Sequence, residues 1–154
     1  QNLQPDWIVL ASSSGGTQAG LILGAQQTGF SGRILGISVD KSEEELESLI
    51  AKLASQTAAW LGIDKKIESE DVLVNDAYCQ AGYGVLQPVE TEAIRLFART
   101  EGILLDPVYT GRAAAGLIDL IRKGFFSPDE TVLFWHTGGI PALFAEPYAS
   151  ALLG

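Results

Sequence analysis

The chain has 154 residues, 47% of them hydrophobic and 19% charged, a make-up that fits one globular domain with its own core and excludes a disordered or fibrous chain. Its net charge of −9 argues against nucleic acid or an anionic membrane surface as partner, because both are polyanions. A single cysteine, Cys79, excludes an internal disulfide framework and fits a reducing, cytoplasmic compartment, and no apolar run nears the ~20 residues that span a bilayer.

In chain order, WIVLA (7–11) is a continuous apolar run that predicts a buried strand, and TQAGLILGAQQTG (17–29) predicts a helix closed by Gly29. RILGISVD (33–40) predicts a second strand. Ser42 with Glu45 makes a capping box that opens a helix from about Glu43 to Leu61, with Leu46, Leu49, Ile50 and Leu53 at helical spacing and SEEELE (42–47) as its solvated start. DVLVND (71–76) predicts a third strand. Pro88, after AGYGVLQP, suits the first turn of a helix that turns Ala93, Ile94, Leu96 and Phe97 inward and ends near Gly102. GILLDP (102–107) predicts a fourth strand, AAAGLIDLIRKG (113–124) a fourth helix, and TVLFWHT (131–137) a fifth strand ahead of GGIPALF.

Strands alternating with helices predict an α/β fold: three layers, doubly wound, a mostly parallel sheet of about five strands with helices on both faces, in a single unit over residues 1–154. Ligands of such sheets bind at the carboxyl ends of the strands, which here are SSSGGT, SVDK, NDAY, DPVYTG and HTGG. The first is the most informative. A strand, then SSSGGT, then a helix offers free backbone N–H groups, a positive dipole end and hydroxyl donors, a cradle for a phosphate. An N-cap with a tight turn needs fewer small residues than this loop carries. The loop lacks the lysine of a P-loop and does not match G-x-G-x-x-G. It does resemble a flavin mononucleotide loop of the flavodoxin kind, which would require Tyr78, Tyr83 or Trp135 to sandwich the flavin.

Four motifs in order, SGGTQAG, GYG, DPVYTG and HTGG, make the chain from Asp6 to about Phe144 resemble the D-cysteine desulfhydrase and 1-aminocyclopropane-1-carboxylate deaminase family. These are pyridoxal-phosphate enzymes of fold type II, related in fold to the tryptophan synthase β subunit. The resemblance implies that Ser13, Ser14, Gly15, Gly16 and Thr17 hold the phosphate of pyridoxal 5'-phosphate. It also implies that Tyr83 and Tyr109 are active-site phenols able to donate to a substrate carboxylate or a leaving group. Thr110 and Thr137 stand where the deaminase branch has glutamate and the leucine of HLGG, so both resemble the desulfhydrase branch. Thr137 is then the expected partner of the pyridine nitrogen, with Thr110 lining the site. A hydroxyl at that nitrogen supports a weaker electron sink than a carboxylate does, enough for β-elimination of sulfide.

The implied function is therefore β-elimination on D-cysteine or a related β-substituted alanine, giving pyruvate and ammonia. The deaminase of the same family is the alternative, and a flavin-binding module the alternative from another class. The expected partners are a small amino-acid substrate and a second copy of the intact enzyme. His136, on a buried strand, is read as a satisfied structural residue and Cys79 as a plain thiol; no His, Cys or carboxylate spacing suggests a metal site. The family's cofactor-linking lysine and its smaller domain lie upstream of the matching region, and none of Lys41, Lys52, Lys65, Lys66 and Lys123 falls in a matching motif. With no initiator methionine and no signal-like start, the chain is read as the C-terminal part of such an enzyme, inactive by itself.

Overall fold

A computed structural model describes residues 3–153; residues 1, 2 and 154 of the expected single unit lie outside it. Four parallel strands, β1 (Trp7–Ser12), β2 (Arg33–Ser38), β3 (Leu73–Asn75) and β4 (Val132–Phe134), pair in the order β3-β2-β1-β4. The helices are α1 (Gly16–Thr28), α2 (Glu43–Trp60), α3 (Pro88–Glu101), α4 (Thr110–Arg122) and α5 (Tyr148–Leu153), with short 3-10 turns at Ser69–Asp71 and Ile140–Phe144.

β1 is central, in register with β2 from Trp7 opposite Arg33 to Ser12 opposite Ser38, and with β4 from Trp7 opposite Val132 to Val9 opposite Phe134. Alternation along the strands divides the core. Ile8, Leu10 and Ile34 pack on one face against Ala19 and Ile22 of α1 and Leu46, Ile50 and Ala54 of α2. Trp7, Val9, Leu35 and Ile37 pack on the other against Ala113, Leu117 and Leu120 of α4. A third cluster joins Ala93 and Ile94 of α3, Leu105, Ala114 and Ala115 of α4, Leu143, and Leu152 of α5, so α3 and α5 form an outer layer over α4. This is the doubly wound, two-faced architecture expected.

The helix boundaries follow the local chemistry. Ser42 accepts from the Glu45 N–H while the Glu45 carboxylate accepts from the Ser42 N–H, the capping box of α2. Pro88 occupies the first turn of α3, and Gly102 ends that helix at φ 67°.

Two elements differ from expectation. GILLDP (102–107) forms no strand, so the sheet has four strands rather than about five. The segment pairs with no strand: Leu105 is buried in the third cluster, the Leu104 carbonyl faces the ring of His136, and Ile103 and Leu104 stay exposed. A short apolar run reads alike in a strand and in a docked connection. Helix α4 starts at Thr110 rather than 113, because the Asp106 carboxylate takes the N–H groups of Val108, Tyr109 and Thr110 at 2.8, 2.8 and 2.6 Å and so organises the turn ahead of it. Among the described residues no helix is long and apolar enough to cross a membrane, and no group of His, Cys, Asp or Glu could hold a metal ion.

Candidate functional site

From β1 the chain turns by way of α1 to one side of the sheet, while β4 pairs on the other, so the reversal of strand order falls between β1 and β4. A crevice at the carboxyl ends of these two strands is the expected binding place of a doubly wound sheet. A cleft of about 320 Å³ lies there, walled by Ala11 to Gly15 and Thr17 on the β1 side, by Thr137, Gly138 and Gly139 on the β4 side, and by Tyr109.

The β1 wall is a cradle. Gly15 adopts φ 78°, and a Cβ on it would lie 2.8 Å from Cγ1 of Ile50, so this turn accepts glycine alone at that position. The turn feeds directly into α1, whose start has no side-chain cap. Among the described residues, the N–H groups of Ser14, Gly15, Gly16 and Thr17 make no hydrogen bond to other backbone groups, so they remain for a ligand at the positive end of the helix. Ser12 adds a second sign of an absent partner. Its hydroxyl is buried at the cleft wall with nothing to bond. Free donors at a helix start beside an orphaned hydroxyl fit a phosphate.

The β4 wall is built by the HTGG turn. Gly138 and Gly139 take φ 97° and 91°, and a Cβ on Gly139 would fall 2.7 Å from Cγ of Asp106. His136 closes the turn: its Nδ1 accepts from the Gly138 N–H at 3.0 Å, which leaves Nε2 to donate to the Leu104 carbonyl at 2.9 Å. Both ring nitrogens are thus engaged within the scaffold. Thr137, between them, lines the cleft.

Of the expected site residues, Ser13, Ser14, Gly15, Thr17, Tyr109 and Thr137 line one cleft. Gly16 lies at the first position of α1 behind it. Tyr83 reaches the group through Tyr109: their hydroxyls are hydrogen-bonded, and the rings meet edge to face with centroids 5.9 Å apart. That hydrogen bond first, and burial second, push the Tyr109 phenol up to about 12, so it stays protonated at neutral pH. Tyr78 is engaged elsewhere, donating to Asp119 at 2.6 Å, and burial first and this bond second raise its phenol strongly.

Thr110 departs from expectation. It is fully buried, its hydroxyl donates to Asp106 Oδ1 at 2.7 Å and accepts from the Asp106 N–H at 2.9 Å, and it does not reach the cleft. The residue belongs to the turn that presents Tyr109. Three residues outside the expected site set also support it: Asp106, whose buried carboxylate accepts four hydrogen bonds in that turn, and Glu90 with Arg112, a fully buried ion pair at 2.9 Å. Asp-Pro immediately ahead of a helix was the available signal for the first, as a capping sequence.

The geometry coincides with what the comparisons with known proteins return. A family model described as pyridoxal-phosphate dependent enzyme matches residues 1–138. The chain belongs to that family, whose cofactor is pyridoxal phosphate. It is 40% identical over 140 residues to a 1-aminocyclopropane-1-carboxylate deaminase of Burkholderia ambifaria, covering 91% of this chain and 41% of that protein. It is 38% identical over 143 residues to the deaminase of the same name from Methylobacterium nodulans, covering 93% and 42%. A crystal structure described as an ACC deaminase homologue superposes with a TM-score of 0.82 at 38% identity, covering 99% of this chain and 45% of that one. The chain thus spans less than half the length of the relatives it matches. With this membership the flavin mononucleotide alternative falls away.

Proposed function

We propose that the protein containing this chain uses pyridoxal phosphate to deaminate a small amino acid, with 1-aminocyclopropane-1-carboxylate as the leading substrate. The observation that carries the reading is the phosphate-sized cradle of unbonded N–H groups at the switch point of a sheet whose similar proteins, at about 40% identity, are named as deaminases of that compound. When bound, the cofactor supplies an electron sink for bond breaking at the amino acid's α-carbon. The chain's own residues bind and orient. Ser13, Ser14, Gly15, Gly16 and Thr17 hold the phosphate, Thr137 donates to the ring nitrogen, and the protonated Tyr109, with Tyr83 bonded to it, offers a proton to a substrate carboxylate or leaving group.

One observation favours a second reading, β-elimination of sulfide from D-cysteine: a threonine, not an apolar side chain, stands at position 137 on the cleft wall. With Thr110 turned away, that reading rests on Thr137 alone. Ammonia release from 1-aminocyclopropane-1-carboxylate and sulfide release from D-cysteine, measured side by side on protein containing this chain, separate the two. Release of neither product overturns both. The reading also includes a homodimer, visible by sedimentation equilibrium, and a cytoplasmic location.

Thr137→Val is expected to weaken pyridoxal phosphate binding by about 1–3 kcal/mol, since it leaves the ring nitrogen without a donor. Unchanged binding in a fluorescence titration would reassign that partner. The 154-residue chain by itself is expected to release no product, because none of its five lysines lines the cleft. Borohydride reduction with pyridoxal phosphate followed by peptide mapping should therefore label no single lysine stoichiometrically. Lys41, three residues beyond the end of β2 and paired with Asp40 at 2.9 Å, is the one to watch.

A further inference from the structure

Tyr109 at the cleft and Tyr83 bonded to it sit on separate segments, the start of α4 and the 76–87 loop, and something must fix one against the other. Arg112 lies three residues beyond Tyr109, fully buried. Its guanidinium reaches four acceptors: Glu90 Oε1 from Nε at 2.9 Å, the Val39 carbonyl at 2.7 Å and the Gly82 carbonyl at 3.0 Å from one terminal nitrogen, and the Val85 carbonyl at 2.8 Å from the other. Gly82 and Val85 flank Tyr83 closely on either side.

We infer that Arg112 is a positioning residue whose buried guanidinium holds the Tyr83 loop onto α4 and so sets the contact between the Tyr83 and Tyr109 phenols. The loop is anchored on either side of this stretch, by Tyr78 donating to Asp119 of α4 at 2.6 Å, by Asp76 accepting the Glu43 N–H at 3.0 Å and by Cys79 facing the Lys41 carbonyl at 3.5 Å, but between Gly82 and Val85 Arg112 is joined only by the Tyr148 hydroxyl, which donates to the Gly84 carbonyl at 2.5 Å. The planar fork is what the site uses, because it satisfies carbonyls on two segments and a carboxylate on a third at fixed angles. A lysine at this position keeps the charge for Glu90 but cannot reach all three carbonyls, so the loop is free to slide and the phenols to part. The inference rests on the proposed role of the phenols for its functional meaning, though not for its test.

The test is the ionisation of Tyr109 in the cofactor-free chain, read as tyrosinate absorbance minus that of Tyr109→Phe. Groups acting on this phenol are Tyr83, Asp106 and Asp40, and the hydrogen bond to Tyr83 is the largest influence. In the wild-type chain Tyr109 stays largely protonated at about pH 11, one unit above an ordinary phenol's midpoint of about 10. The raised value stabilises the fold fully below about pH 10, and this is lost as pH rises through about 12. In Arg112→Lys the midpoint is expected to drop toward about 10, so that Tyr109 is mostly ionised at about pH 11. Tyr83→Phe should lower it likewise.

A midpoint that stays put in folded Arg112→Lys would overturn the inference, leaving Arg112 a purely structural residue. If that variant does not fold, the double substitution Arg112→Met with Glu90→Met removes both charges and fills the space. It keeps a folded core but no grip on Gly82 and Val85. A lowered Tyr109 midpoint there supports the inference and an unmoved one sinks it. Were the deaminase reading wrong, the shift would still occur; were this inference wrong, activity could persist while the midpoint stood still.

Discussion

Glu90→Ala is expected to destabilise the fold by about 3–5 kcal/mol, close to the whole margin of a small domain. Glu90 is 1% exposed and Arg112 is fully buried, so removing the carboxylate leaves a guanidinium charge inside the protein with only carbonyl dipoles around it. A second loss adds to this. Glu90 Oε2 accepts the Gln87 N–H at 3.0 Å, closing the start of α3, and that donor is freed as well. Glu90→Gln keeps the shape and can still accept from Gln87, so it should cost less than Glu90→Ala. Urea unfolding of the three proteins checks the order. Equal midpoints would mean that water reaches the pair and compensates it. The penalty for breaking the pair says nothing about its net worth, since an apolar pair of the same volume can be as stable.

Glu90 also shows where the sequence could have been read further. It stands at i, i+3, i+4 and i+7 with Ala93, Ile94 and Phe97, on the inward face of α3, and a carboxylate on an apolar helical face demands a cation. The periodicity identified the face, but no local pattern names a partner 22 residues away on another helix. The layered α/β architecture was legible because WIVLA and RILGIS carry continuous apolar runs and because capping boxes and glycines punctuate the helices. Segment 102–107 was misassigned because Ile103, Leu104 and Leu105 look like a strand, while what fixes them is a tertiary accident of packing: Leu105 inserted under α3, and Leu104 facing His136. The cradle was legible for a different reason. Its chemistry is carried by backbone, and backbone exposure follows from small residues between a strand and a helix. Thr110 was not, because its short side chain can point into the cleft or back to Asp106, and only the buried carboxylate in that turn decides the matter.

Neighbouring glycines of the cradle are expected to contrast sharply. Gly15→Val should cost about 2–6 kcal/mol and abolish phosphate binding, whereas Gly16→Ala should be tolerated within about 0.5 kcal/mol. At Gly15 the backbone has φ 78°, a region that β-branched residues avoid at about 1–3 kcal/mol, and the new Cβ would sit 2.8 Å from Ile50 Cγ1 and 3.3 Å from Leu53 Cδ1. Those atoms belong to α2, packed against the core, and cannot withdraw without opening it, which adds about 1–3 kcal/mol of overpacking. The chain relieves this strain most cheaply by shifting the turn, and the turn is what aims the N–H groups of Ser14 to Thr17. Each donor lost from a charged phosphate removes about 1.5–3 kcal/mol, so two lost donors weaken binding by at least a hundredfold. At Gly16 the backbone is already helical and nothing lies within 4 Å of an added Cβ. Titration of both variants with pyridoxal phosphate and with inorganic phosphate, alongside urea unfolding, separates the two effects. If Gly15→Val bound either probe as the wild-type chain does, the anion would have to sit elsewhere than on this loop.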